Sequence, residues 1–289
     1  MLPINGYSAE QQASSKSHDQ GKRSYIQSVD GYAYLSEDMT LSETRSAAFA
    51  NAKRQAIEMA LTSIKTYTRV EDFILKKDIV EGKSEGAVTI LEQKDHGVEN
   101  NVRYHVWIKA EVKYELSSEK KPDKNNSANI SLSSVVMDKN GPLTVKVWTL
   151  KKQYKDGETV TIFIQGNRDF YAKIVNITSS GNIIQLLPND YRTTTFFEGG
   201  EVYKIPDKED RFKMKISPPY GEDKIIVYAS EVPVANVSME SIGQGLNMYR
   251  GKASSFASKT RGISIAPSTP SKNSGVAFYE ASTTFRSGD

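Results

Sequence analysis

An unbroken alternation between residues 102 and 116 constrains this chain more than any other feature. Val102, Tyr104, Val106, Ile108, Ala110, Val112, Tyr114 and Leu116 take every second place, while Arg103, His105, Trp107, Lys109, Glu111, Lys113 and Glu115 fill the places between. Successive side chains of an extended backbone point to opposite faces, so the pattern predicts one long strand with a dry side and a wet side. Such a strand needs neighbours for its backbone and a layer over its dry side.

Both are available upstream. Val29, Gly31, Ala33 and Leu35 alternate in the same way, which predicts a strand over 28–35. Residues 43–65 contain no Gly or Pro and are rich in strong helix formers, with Thr40 or Ser42 placed to cap the start. Phe49, Ala52, Ala56, Ala60 and Ile64 recur at helical spacing, so an Ala-lined stripe can lie close against a sheet. Residues 66–79 and 87–91 read as further strands. The compact solution is an α+β unit over 25–118, a long helix on a mostly antiparallel sheet.

Before and after this unit the texture loosens. Residues 1–24 read as a flexible tail, and 119–141 as a Lys, Asn and Ser-rich linker with too little apolar surface to repay ordering. From 142 to 286 short β-prone runs follow one another over 143–150, 159–165, 171–177, 183–187, 201–205, 212–216 and 224–229. Asp156-Gly157, Ser180-Gly181 and Gly199-Gly200 punctuate them, a rhythm that predicts an all-β, sandwich-like domain. Gly243 and Gly245 weaken a helix over 238–259, and 276–285 reads as a closing strand. Two domains suit a chain of 289 residues.

The C-terminal half carries an ordered series of residues: Val145, Val147 and Trp148; Tyr154 with Gly157-Glu158; Asp169 with Tyr171; Gln185-Leu186-Leu187-Pro188-Asn189; Ile205-Pro206; and Pro218-Pro219 with Gly221-Glu222. Over 141–285 it resembles the bacterial domain-of-unknown-function family four-three-eight-four. Gly31-Tyr32-Ala33, the Ala-rich helix and the strand ending at Val112 make the N-terminal half similar to the N-terminal domain of flagellar assembly protein T and to LPP-twenty type lipoproteins. The resemblances imply an exported envelope protein, periplasmic or associated with the outer membrane. Met1-Leu2-Pro3-Ile4-Asn5-Gly6 has neither the basic nor the apolar region of a signal peptide, so the expectation is either removal of a leader before residue 1 or a cytoplasmic protein.

Composition narrows the chemistry. The chain lacks cysteine, which removes thiolate metal sites, cysteine nucleophiles, disulfides and an anchoring cysteine. A net charge of +3, from 38 basic against 35 acidic residues, does not supply the concentrated basic surface that nucleic acid requires. No stretch approaches the roughly 18 apolar residues of a membrane span. The three histidines lie in the tail (His18), in an expected turn (His96) and on the polar side of the long strand (His105), where nothing converges on a catalytic group. Glu71-Asp72, Glu209-Asp210 and Glu222-Asp223 are adjacent pairs, which on a strand face opposite ways and share no site. No catalytic, metal or cofactor residue is assigned.

Aromatic residues remain. Trp148 and Tyr171 fall in β segments and are expected in the core, whereas Tyr191, Phe196 and Phe197 follow a turn-rich stretch and are the candidate exposed contact residues. The functional expectation is a non-catalytic envelope scaffold or adaptor that contacts other envelope proteins or copies of itself. The alternative is a domain that senses a glycan, peptide or small molecule at the sandwich loops.

Overall fold

The computed structural model describes residues 21–67, 73–75, 88–118, 138–261 and 275–289. Most of the expected tail, most of the expected linker, His18 and Glu71-Asp72 lie outside the described residues, as does most of the strand expected over 66–79.

Strand β1 (Lys22–Tyr34) starts at Lys22, inside the expected tail and six residues ahead of the expected strand, because its first half has a partner far down the chain. Helix α1 (Leu41–Tyr67) follows. Thr40 is its cap: the Thr40 hydroxyl accepts from the Glu43 amide at 3.3 Å and the Glu43 carboxylate accepts from the Thr40 amide at 2.7 Å, so two orphan donors are satisfied reciprocally. Ala52, Ala56, Ala60 and Ile64 are buried, as the helical spacing predicts, but the stripe starts at Ala48, and Phe49, expected there, is half-buried at its margin. The approach is close enough that a Cβ on Gly31 of β1 would stand 2.3 Å from the Ala48 carbonyl, so only glycine fits there. Strands β2 (Phe73–Leu75) and β5 (Leu116–Ser118) pair with one another, and β3 (Val88–Glu99) turns through Asn100 and Asn101 into β4 (Arg103–Tyr114).

The second half is almost all strand: β6 (Val145–Thr149), β7 (Gln153–Lys155), β8 (Thr159–Val160), β9 (Ile162–Gly166), β10 (Phe170–Ile177), β11 (Ile183–Leu187), β12 (Phe196–Phe197), β13 (Val202–Ile205), β14 (Met214–Lys215) and β15 (Glu222–Ser230). The stretch that the glycines left undecided is a hairpin, β16 (Glu240–Gly243) and β17 (Leu246–Tyr249), followed by helix α2 (Ala253–Thr260). Gln244 and Gly245 both have positive φ, the backbone of a tight two-residue hairpin turn, so the glycines mark a reversal and not a broken helix. Strand β18 (Val276–Gly288) closes the fold.

One sheet runs through both halves in the order β16-β17-β11-β10-β15-β18-β1-β4-β3, with Lys22 of β1 opposite Glu280 of β18. On one of its sides lie α1, over β1 and β4, and a smaller sheet, β13-β9-β6, over the C-terminal strands; a continuous apolar cluster fills the space beneath both. This second layer makes the C-terminal half a sandwich. On the other side a second cluster, with Ile26, Tyr228, Phe256 and Phe278 at its centre, lies beneath α2 and the segment that leads to it.

That covering changes which side chains meet water. Lys109 and Glu111, expected on the wet side of β4, are buried. Lys109 is held by Glu92 at 3.0 Å. Arg261, just past α2, pairs with Glu111 of β4 and, at 3.2 Å, with Glu280 of β18. The expectation for Trp148 and Tyr171 also needs correction. Both are half-buried, Trp148 stacking on Phe163 on the outer side of the small sheet and Tyr171 packing edge-on against Phe196.

Candidate functional site

The three aromatic residues expected to form one exposed patch part company in the structure. Phe197 is fully buried, stacked on Phe170 at 5.2 Å and met edge-on by Tyr203 at 5.0 Å, so it is a core residue and not a contact residue. Its neighbour Phe196 points the other way, as adjacent strand residues must, and remains exposed beside Tyr171. Tyr191 is also exposed and lies along Phe212 at 6.2 Å. Tyr191 and Phe196 thus have different aromatic partners, and the candidate set reduces to two separate rings.

His96 and His105 come together, although their places in the sequence do not show it. His96 lies in β3, at the irregularity between Asp95 and Gly97, and not in a turn. An irregularity of this kind re-aims a side chain, and the His96 ring stacks on His105 at 4.4 Å. Tyr32, opposite His105 in the β1–β4 register, stacks on it at 4.5 Å, with Arg103 above the Tyr32 ring at 4.2 Å. Both ring nitrogens of His105 meet carboxylates: Nε2 lies 2.7 Å from Asp30 and Nδ1 lies 2.5 Å from Glu99. Partial burial opposes charge on the imidazole, but the two carboxylates together outweigh it and hold the His105 pKa above the ordinary histidine value. In turn the hydrogen bond from His105, helped by Arg103, holds Glu99 below the usual carboxylate range. Two acceptors flanking one imidazole favour its doubly protonated form, which offers no free lone pair to a metal or a proton in transit.

Among the described residues, three of the paired carboxylates are also engaged locally. Asp223 accepts from the Asn176 amide at 2.9 Å and from the Ser179 backbone at 2.9 Å, while Glu222 faces away toward Arg286. Asp210 accepts from Arg192 at 3.0 Å. Each carboxylate therefore braces a turn or a strand end. Among the described residues, no cluster of three or more His, Asp or Glu side chains could hold a metal ion.

Apolar exposure concentrates elsewhere. Tyr34, 69% exposed, ends β1; Met39 and Leu41 flank the α1 cap; Val98 and Val102 border the β3–β4 turn. The pairing of Tyr34 with Arg103 and the 2.9 Å bond from the Leu35 amide to the Val102 carbonyl draw these segments to one end of the N-terminal unit. Of the ten large apolar side chains left exposed among the described residues, these are five. Glu37 and Asp38 lie exposed in the same loop and give this end an acidic margin. The signal in the sequence was present at Tyr34, an aromatic residue on an even, outward position of β1, but the meeting of three segments was not visible there.

No helix among the described residues is long and apolar enough to cross a membrane. Residues 153–233, from β7 to just past β15, match the family model described as a domain of unknown function, DUF4384. This supports the C-terminal resemblance over the part of the sandwich that it covers. No curated protein and no solved structure matches the chain.

Proposed function

We propose that the chain is a non-catalytic scaffold or adaptor at the cell envelope, and that it engages a protein partner through the apolar end formed by Tyr34, Met39, Leu41, Val98 and Val102. The observation that carries this reading is the gathering of exposed apolar side chains on a hairpin end whose backbone is braced by α1 and by strand pairing. Rigid, exposed aromatic and aliphatic groups anchor protein contacts at low entropic cost. The acidic margin of Glu37 and Asp38 suits a partner with apolar residues bordered by basic ones. The non-catalytic part of the reading is supported by His105, whose ring nitrogens are both committed to carboxylates. The envelope setting rests on the resemblance of the two halves to exported proteins.

The test is capture from envelope fractions by the full chain, with Tyr34→Ser and Val102→Ser introduced together. Capture should fall about tenfold or more, as expected for loss of central contact residues, with an unchanged circular dichroism spectrum. Capture that survives this pair but falls with Tyr191→Ala and Phe196→Ala would move the contact to the sandwich and overturn the assignment.

A further inference from the structure

On the α2 side of the sheet, a cleft of about 480 Å³ separates the start of β3 from α2 and from the segment that leads to it. Its volume lies in the range of ligand pockets. One wall is β3, an edge of the large sheet among the described residues. At this point the β3–β4 register shifts between Ile90 and Glu92, so Leu91 is the extra residue of a bulge and has no residue opposite it on β4. The opposite wall, 235–238, has no regular secondary structure. Leu91 packs on the cluster that contains Val237, and the two form an apolar floor. Ser255, Ser258 and Lys259, at helical spacing, present one side of α2 to the cleft.

The charges are asymmetric. The Glu92 carboxylate is already neutralised by Lys109 at 3.0 Å. Lys259 rests its ammonium 5.3 Å from the Tyr249 ring centre, and among the described residues no carboxylate pairs with it. Among the described residues the cleft therefore combines an open sheet edge, a small apolar floor, hydroxyl groups and one cation without a counter-ion. This is the complement of a short extended peptide. Main-chain groups would pair along β3 at the bulge, one apolar side chain would sit on Leu91 and Val237, and a carboxylate would meet Lys259. We propose that the cleft binds an extended, carboxylate-bearing peptide as an added strand on β3. This proposal uses none of the residues of the apolar end, so it stands or falls separately from that reading.

The probe is a pool of random hexapeptides in free-acid and C-terminally amidated forms, passed over the immobilised full chain and read by mass spectrometry. The wild type should enrich carboxylate-bearing peptides about tenfold over bare resin, in line with the strength of charge-assisted hydrogen bonds. Loss of enrichment on amidation would identify the terminal carboxylate as the group bound, and retention would identify an acidic side chain; either supports the proposal. Lys259→Glu should invert the charge preference. Ser258→Trp, at an exposed helix position whose change spares the core, should fill the cleft without adding charge and abolish capture with an unchanged melting temperature. Backbone N-methylation of an enriched peptide at alternate residues should also abolish binding. No enrichment over resin, equal enrichment by Ser258→Trp, or indifference to N-methylation would each overturn the proposal.

Discussion

The two ends of the polar side of β4 began with the same pattern and met different fates. At one end His105 and Trp107 keep contact with water, ringed by Asp30, Glu99, Tyr32 and Lys94. At the other end Lys109 and Glu111 are sealed beneath the α2 side of the molecule, and Arg261 arrives from the far half of the chain to meet Glu111. Alternation sets which side of a strand a residue takes, but only the rest of the chain decides whether that side is covered. Charge that is covered must be matched, because a buried ion without its partner costs far more than an exposed one. The covered end is thus committed to holding the two halves together, while the pairs at the open end stay within reach of water.

The largest effect should come from Arg261→Ala, which leaves Glu111 buried without its cation and Glu280 with Lys22 alone. Breaking a buried pair costs about 3–5 kcal/mol, and the melting temperature should drop by about 10 °C. A drop no larger than that of an exposed ion pair such as Arg250–Glu240 would erase the distinction between the two ends. The dry side of the same strands supplies a reference: Ala56→Leu on α1 overpacks a fully buried position and should cost about 1–3 kcal/mol. An unchanged melting temperature would show that α1 can lift from the sheet.

Lys173 sharpens the comparison from the opposite sign. It is buried on the α2 side of β10, donates to the Ala235 carbonyl at 3.1 Å, and is pushed down by burial to a pKa of about 8. Because the unfolded chain holds that proton more tightly, stability should rise with pH between about 8 and the ordinary lysine value of 10.5. Lys173→Met should remove that slope. It should also raise stability near pH 7 by about 1 kcal/mol, since relief of desolvation exceeds the loss of one hydrogen bond. Chemical denaturation across this pH range measures both.

The smallest effect belongs to the open end. With its pKa raised in the fold, His105 contributes stability that is complete below the unfolded value of about 6.5 and is lost as pH climbs through the folded value. Thermal melts from pH 5 to 8 should show a shallow decline that His105→Gln abolishes. A decline as steep as that of a buried ion would show that the open end is no less committed than the covered one.

Legibility in the sequence followed the range of the physics. The α1 stripe and the dry side of β4 were readable because the periods of 3.6 and 2 are local properties. The Thr40 cap needed only Glu43 three residues on. The rest depended on distant partners: Lys109 and Glu111 looked wet until α2 covered them, and β1 reached back to Lys22 because β18 pairs with it. The irregularity that aims His96 at His105 leaves no mark on the local pattern. Phe196 and Phe197 could not be told apart without the register of β12 on β10, which sends one ring out and the other in.

The pairing of β1 with β18 has a temporal side. Lys22 and Glu280 are 258 positions apart, yet they face one another in the middle of the sheet. The first half can wind α1 and turn the β3–β4 hairpin from contacts close in sequence, whereas one edge of β1 stays unsatisfied until residues 276–280 have been synthesised. An open, apolar strand edge during that interval is a template for the wrong neighbour. Strand β1 therefore completes its pairing only once residues 276–280 have been made, and the length of that interval follows from where a single strand is inserted.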